Sequence, residues 1–208
     1  MKAKLHFSLT IVWSIATSAS LTILLAIPLF LSLIDVLKLP QLTDLSRQTI
    51  HDNFDVLMAY LLKPWVSTLK LPDFSSSAGG LKHFADVKQL FLLAFVVMVL
   101  LAIPAYRLIQ KGIYRQFYQG LKICLLIPLI ILGIALFGGF EPIFISFHQL
   151  FFRDTTWLFD PATDPVINIL PETYFMLCFI IFGLLYVAFW LVLLVKSKRY
   201  FGGQRRLN

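Results

Sequence analysis

His83 and His148 are the side chains of this sequence best placed for proton chemistry, and each has its own setting. His83 opens the run HFADVKQLF, residues 83 to 91. If that run is helical, Asp86 stands three residues further along the same face, where a carboxylate can fix the imidazole tautomer and raise its basicity. His148 lies in FHQLFFRDTTWLFDPATDPVINILPETYF, Phe147 to Phe175. This stretch reads as a polar hairpin carrying Arg153, Asp154, Asp160, Asp164 and Glu172, closed by Pro165 and Pro171. Two imidazoles from separate segments can divide the work of a general base and a general acid. His6 and His51 have plainer settings, one at the end of an apolar run and one on the polar part of an amphipathic segment.

The elements that must position these groups belong to a membrane. Of the 208 residues, 59% are hydrophobic, 15% aromatic and only 14% charged, with a mean hydropathy of +0.82. That leaves too few polar groups to coat a soluble surface. Four runs, 5–34, 87–109, 120–140 and 174–195, are nearly free of charge through their middles. Each is long enough to cross a hydrocarbon core that takes roughly 20 residues of helix. Lipid demands helices there, because an isolated strand would leave backbone groups unpaired. Pro28 and Pro104 fall toward the ends of their runs, and Pro128 lies deep enough in the third to bend it. The expected architecture is an all-α membrane protein, a bundle of four transmembrane helices forming a single integral membrane domain over 1–208.

Charge orders the loops. Lys2, Lys4, Arg107, Lys111, Arg115, Lys122, Lys196, Lys198, Arg199, Arg205 and Arg206 flank the runs on one side, unaccompanied by any acid. All eleven Asp and Glu residues fall in or beside the loops 35–86 and 141–173 with the other seven cations. The two sides therefore carry +11 and −4, which gives the net +7. The positive-inside rule then predicts both termini in the cytoplasm and the two long loops outside. The basic excess is topological, and nucleic acid is not an expected partner. The small-residue patch Ala16 to Ser20 imitates an export signal, but the apolar run continues well past it, so a retained first span is expected. Cys124 and Cys178 lie near opposite ends of their spans, which argues against a disulfide.

The first outside loop has helical periodicity from Leu42 to Leu62, with Leu45, Ile50, Phe54, Leu57, Met58 and Leu61 on one face. It predicts an extracytoplasmic amphipathic helix that lies on the bilayer surface or packs on the protein. Ser75 to Gly80, SSSAGG, reads as a flexible break. The polar hairpin is expected to cap the outer mouth, its Phe147, Phe151, Phe152, Trp157 and Phe159 forming an aromatic belt.

The order of apolar runs resembles that of the lipoprotein intramolecular transacylases, small four-span bacterial membrane proteins. So do the block H-x-x-D-V-K at His83, Asp86, Val87 and Lys88, and the block F-H-x-L-F-F … W-L-F-D-P-x-T-D … L-P-E-x-Y-F from Phe147 to Phe175. The resemblance covers essentially the whole chain. It implies an acyl transfer within one diacylated lipoprotein, from the middle glycerol oxygen of the diacylglyceryl-cysteine to the α-amine of that cysteine, giving the lyso-form. It also implies a membrane-lipid environment, no cofactor and a monomer. The family's histidines map onto His83 and His148. His83 with Asp86 is the favoured base, and His148 the favoured oxyanion donor or leaving-group acid, although the two roles can be exchanged. Substrate contacts are expected from Lys88, Arg153, Trp157, Asp160, Asp164 and Glu172.

The chemistry requires a neutral amine, a donor for the tetrahedral oxyanion and a proton for the departing alkoxide. No outside cysteine is present as an acyl carrier, so direct transfer is favoured over an acyl-enzyme. Two rival readings use the same residues. A metal-dependent membrane hydrolase would ligate zinc through His83, Asp86, His148 and Asp160, yet no short-range ligand pair such as H-E-x-x-H occurs. A four-span accessory or transport protein would place coupling charges inside its spans, and none carries one in its middle.

Overall fold

Four helices among the described residues are long and apolar enough to cross a membrane: Lys2–Val36, Ala78–Leu100, Ile113–Ile134 and Glu172–Tyr200. The computed structural model describes residues 2–204, apart from the side chains of residues 135, 136 and 201–204; Arg205 and Arg206 of the basic cluster lie outside the described residues. Eight α-helices follow one another: α1 (Lys2–Val36), α2 (Leu39–Thr43), α3 (Arg47–Leu62), α4 (Ala78–Leu100), α5 (Ala102–Gln110), α6 (Tyr118–Gly138), α7 (Glu141–Phe151) and α8 (Glu172–Gln204). Short 3₁₀ helices occupy Ile113–Phe117 and Pro165–Ile169.

The second span differs from its expected limits. Its helix begins at Ala78 and ends at Leu100, whereas the apolar run extends over 87–109. Hydropathy misses the polar first turns that carry Lys82, His83 and Asp86. At the other end, Leu101 leaves helical geometry and α5 starts afresh. Pro104 accounts for the break, because it has no N–H with which to bond the carbonyl four residues back.

The chain packs as two compact units. One, here the basic unit, comprises Met1–Leu21, Ala94–Phe140 and Ile180–Asn208. Its core gathers Phe7, Leu108, Tyr114, Leu121, Trp190 and Leu193. The indole of the fully buried Trp190 donates to Ser14 Oγ at 3.1 Å, and that of the half-buried Trp13 to the Met98 carbonyl at 2.9 Å, so both indole N–H groups are satisfied.

The other, the histidine unit, comprises Thr22–Leu93 and Glu141–Phe179. Ser46 caps α3 by accepting the Thr49 N–H at 3.0 Å. Ile50, Phe54, Leu57, Met58 and Leu61 then pack against Phe30, Ile34 and Tyr174. Phe54 stacks on Phe30 with ring centroids 3.7 Å apart. Burying a side chain of that size stabilises a water-facing helix by about 1.5–3 kcal/mol. The amphipathic face of α3 is therefore spent on the protein. The fully buried Asn53 ties down the extended segment that follows, donating to Asp73 Oδ2 at 2.7 Å and accepting from the Asp73 N–H at 3.2 Å.

Candidate active site

The start of α4 is held in place, contrary to the flexible break expected at Ser75 to Gly80. Ser77 Oγ accepts the Gly80 N–H at 2.9 Å and so caps the helix. The Ser77 N–H in turn donates to Asp164 Oδ1 at 2.8 Å, and Ser75 Oγ donates to the Thr163 carbonyl at 3.1 Å. Gly80 lies so close to the Asp164 carboxylate that a Cβ there would collide with it. Asp164 is only 3% exposed, and these hydrogen bonds hold its carboxyl below the usual carboxylate range against the opposing effect of burial. It is a structural anchor that aligns the first turns of α4 with the segment 152–164.

The stretch read as a hairpin is instead built on a helix. Gly139, at φ +82, closes α6 in the left-handed conformation that glycine adopts without strain. α7 then runs from Glu141 to Phe151 and carries His148 in its last turn. The signal was present in the helical spacing of Phe144, Phe147, Leu150 and Phe151, but aromatic residues so dense also read as an interfacial belt.

α4 and α7 bring the two histidines together. Their ring centroids are 5.7 Å apart, and the residues are 7% and 8% exposed. Phe152 meets the His83 ring edge-on at 4.7 Å and Phe159 does so at 5.5 Å. Trp157 lies 4.8 Å from the His148 ring and Phe144 lies 4.1 Å from it. His148 Nδ1 is 2.7 Å from the Phe144 carbonyl. A carbonyl only accepts, so Nδ1 carries the proton and Nε2 presents its lone pair. Burial pushes the His148 pKa below the ordinary histidine value, partly offset by that carbonyl, and the ring is neutral at neutral pH. His83 Nδ1 is buried with no hydrogen-bond partner among the described residues.

Asp86 does not bond His83, contrary to the expected pair. Its Oδ2 receives Lys82 Nζ at 2.7 Å, because an i,i+4 lysine reaches the carboxylate and satisfies it. Lys82 also donates to Asp154 Oδ2 at 2.6 Å. Asp154 accepts from the Thr156 N–H at 3.1 Å and from Thr156 Oγ1 at 2.6 Å, and its carbonyl receives the Trp157 indole at 3.1 Å. Lys82 above all, then Thr156, holds the Asp154 carboxyl far below the usual range. Lys82 thus fastens the turn before His83 to the turn that presents Trp157. The i,i+4 spacing of Lys82 and Asp86 is the sequence signal for this role.

The remaining expected contacts separate clearly. Trp157 lines the histidine pair. Lys88 donates to the carbonyls of Lys63 and Val66 and sits 4.4 Å above the Tyr60 ring, where it braces the chain after α3. Asp160 accepts the Ala162 N–H at 2.9 Å in an exposed turn. Arg153 and Glu172 are exposed. Among the described residues, no three His, Cys, Asp or Glu side chains gather as a metal site, so the ligand set of the hydrolase reading is not assembled. Both cysteines are free thiols.

The fold and site define a helical, multi-pass membrane protein in which two buried imidazoles are sheltered by aromatic rings. Residues 4–175 match the family model described as lipoprotein intramolecular transacylase Lit. A structure of the membrane integral lipoprotein intramolecular transacylase Lit from Bacillus cereus matches with a TM-score of 0.79 at 29% identity, over 99% of this chain and 98% of that one. Two structures of the same enzyme with one histidine replaced, by arginine and by alanine, each match with a TM-score of 0.72 at 28% and 29% identity, over 99% of this chain and 95% and 96% of those. A search of curated proteins gives no match. The chain belongs to the lipoprotein intramolecular transacylase family. It is a membrane-integral acyltransferase that acts within lipoproteins.

Proposed function

We propose that the chain moves the acyl group on the middle glycerol oxygen of a diacylglyceryl-cysteine lipoprotein to the α-amine of the same cysteine, and that His83 and His148 carry the reaction. The observation that carries this reading is the approach of the two buried rings to 5.7 Å from separate helices. An α-amine has a pKa of about 7.7–8.0, so a neutral imidazole suffices to take its proton as it attacks.

The fixed tautomer of His148 supports Nε2 as that base, and the commitment of Asp86 to Lys82 supports the exchanged roles. As the C–N bond forms, His148 Nε2 takes the amine proton. As the C–O bond breaks, it returns that proton to the glycerol oxygen, so the step is balanced without a cofactor. An N–H of His83 stabilises the tetrahedral oxyanion. Donor and acceptor share one molecule, and well-oriented intramolecular reactions reach effective molarities of about 10⁵–10⁸ M. The enzyme therefore has to fold the headgroup and exclude water, a task that suits Phe144, Phe152, Trp157 and Phe159. Both histidines belong to one chain, which supports a monomeric site. Charge asymmetry supports N-in and C-in termini and an extracytoplasmic reaction.

Two lipopeptide substrates test this in proteoliposomes. A mixture of substrates carrying light and isotopically heavy acyl chains should give N-acylated products with no exchange between peptides, and an N-acetylated lipopeptide should remain unchanged. Crossover of label, or loss of an acyl chain from the blocked peptide, would contradict direct transfer.

A further inference from the structure

The basic unit contains a second polar feature that acyl transfer does not use. A cavity of about 450 Å³ is lined by Lys2 and His6 of α1, Arg107 of α5, Lys111, Ile113 and Gln116. Gly112, at φ +63, turns the chain out of α5 and brings Gln116 back to the space that Arg107 and Lys111 line. His6 Nδ1 donates to the Lys2 carbonyl at 2.7 Å, which fixes the imidazole beside the first turn of α1.

What distinguishes the cavity is the absence of any acid to balance it. The sequence segments of the basic unit hold eleven Lys and Arg residues and not one Asp or Glu. Two of those cations are engaged elsewhere: Arg115 lies 4.0 Å from the centroid of the Tyr200 ring and Lys122 lies 4.7 Å from that of Tyr118. Among the described residues, Lys2, Arg107 and Lys111 are exposed and have no ion pair, yet all three line this one space. Cations near the end of α5 suit its dipole, which accounts for Arg107 and Lys111 singly. The positive-inside bias puts cations of several helices on this side of the membrane, but it does not require Lys2 of α1 to border the same space as Arg107 and Lys111. The space is partly open to solvent and is larger than a single ion needs.

We infer that this cavity binds a phosphate-bearing anion, with Arg107, Lys111 and Lys2 as its ligands. Basic pockets between membrane helices take lipid headgroups by this chemistry. Such a ligand would supply the negative charge that the unit's own sequence lacks.

Native mass spectrometry of the purified full chain, with phosphatidylglycerol and phosphatidylcholine of matched acyl chains and with inorganic phosphate, tests the inference. The unaltered protein should retain phosphatidylglycerol or inorganic phosphate, and Arg107→Gln with Lys111→Gln should reduce that retention about tenfold. Lys196→Gln with Lys198→Gln, an equal loss of charge in the same unit, should leave it unchanged. Preference for phosphatidylglycerol over phosphatidylcholine that survives millimolar phosphate assigns the anion to a lipid; saturable binding of inorganic phosphate that displaces the lipid assigns it to the free ion. The inference is overturned if neither anion is retained, or if the Lys196/Lys198 pair costs as much as the cavity pair.

Discussion

The two units of this protein divide its charge and its chemistry unequally. The basic unit has cations and no carboxylate, with an aromatic and aliphatic core around Phe7, Tyr114 and Trp190. The histidine unit holds all eleven acids and both buried imidazoles, and it fixes its acids by hydrogen bonds to particular partners. Asp73 is bound by Asn53, Asp164 by Ser77, and Asp154 and Asp86 by Lys82. The contrast teaches that acidic residues here are positioning devices. They fasten loops so that two buried rings meet among aromatic neighbours.

Breaking that contrast in the histidine unit should cost most. Replacing either His83 or His148 with Ala should lower initial conversion of a diacylated lipopeptide by about 10²–10⁴-fold, the usual share of positioned acid–base groups. The next largest effect is structural. Gly80→Ala drives a Cβ into a carboxylate that Ser77 and Thr163 hold in place, and should destabilise the protein by about 1–3 kcal/mol, read as a lower thermal midpoint in detergent.

Lys82→Ala should loosen the link between α4 and the Trp157 turn. The expected loss of conversion is about tenfold, the consequence of a small misplacement of reacting groups. Lys82→Arg should restore most of it, since a second cation can span the same two carboxylates. A purely electrostatic role at His83 would instead move the pH profile without changing the maximal rate.

The pH dependence follows from His148. In the proposed reaction its neutral form takes the amine proton, and burial holds its pKa below the ordinary value of about 6.5. The substrate amine must also be neutral, so conversion should fall as pH drops below its pKa of about 7.7–8.0, and protonation of His148 should steepen that fall only below the ordinary histidine value. Trp157→Ala, which admits water to the ring, should move the onset of that steeper fall upward toward the ordinary value. The smallest effect belongs to the basic unit, where Arg107→Gln should leave lipopeptide conversion within about twofold of normal, as surface charge changes generally do.

Much of this was legible in the sequence, for identifiable reasons. Hydropathy located four spans, and the 3.6-residue spacing of Ile50, Phe54, Leu57 and Leu61 located α3, although not the surface it covers. His83 and His148 stood out together only through their flanking motifs. The beginning of α4 was hidden because its first turns are polar, and it is stabilised by the distant Asp164, which spacing cannot reveal. α7 was hidden because eleven residues of mixed aromatic and polar character fit a hairpin as well as a helix. Asp86 was assigned to His83 because both lie on one face, yet Lys82 occupies the competing i,i+4 position and wins the carboxylate. The K-H-x-x-D spacing held that answer.

The most direct test compares initial rates of acyl transfer, read by mass spectrometry of the lipopeptide, for the unaltered protein, His83→Ala, His148→Ala and the double variant, all in vesicles with equal insertion. If the rings act as one unit, each single variant should lose nearly all conversion and the double variant little more. A single variant that keeps near-normal conversion, or losses that simply multiply, would contradict the paired-imidazole account.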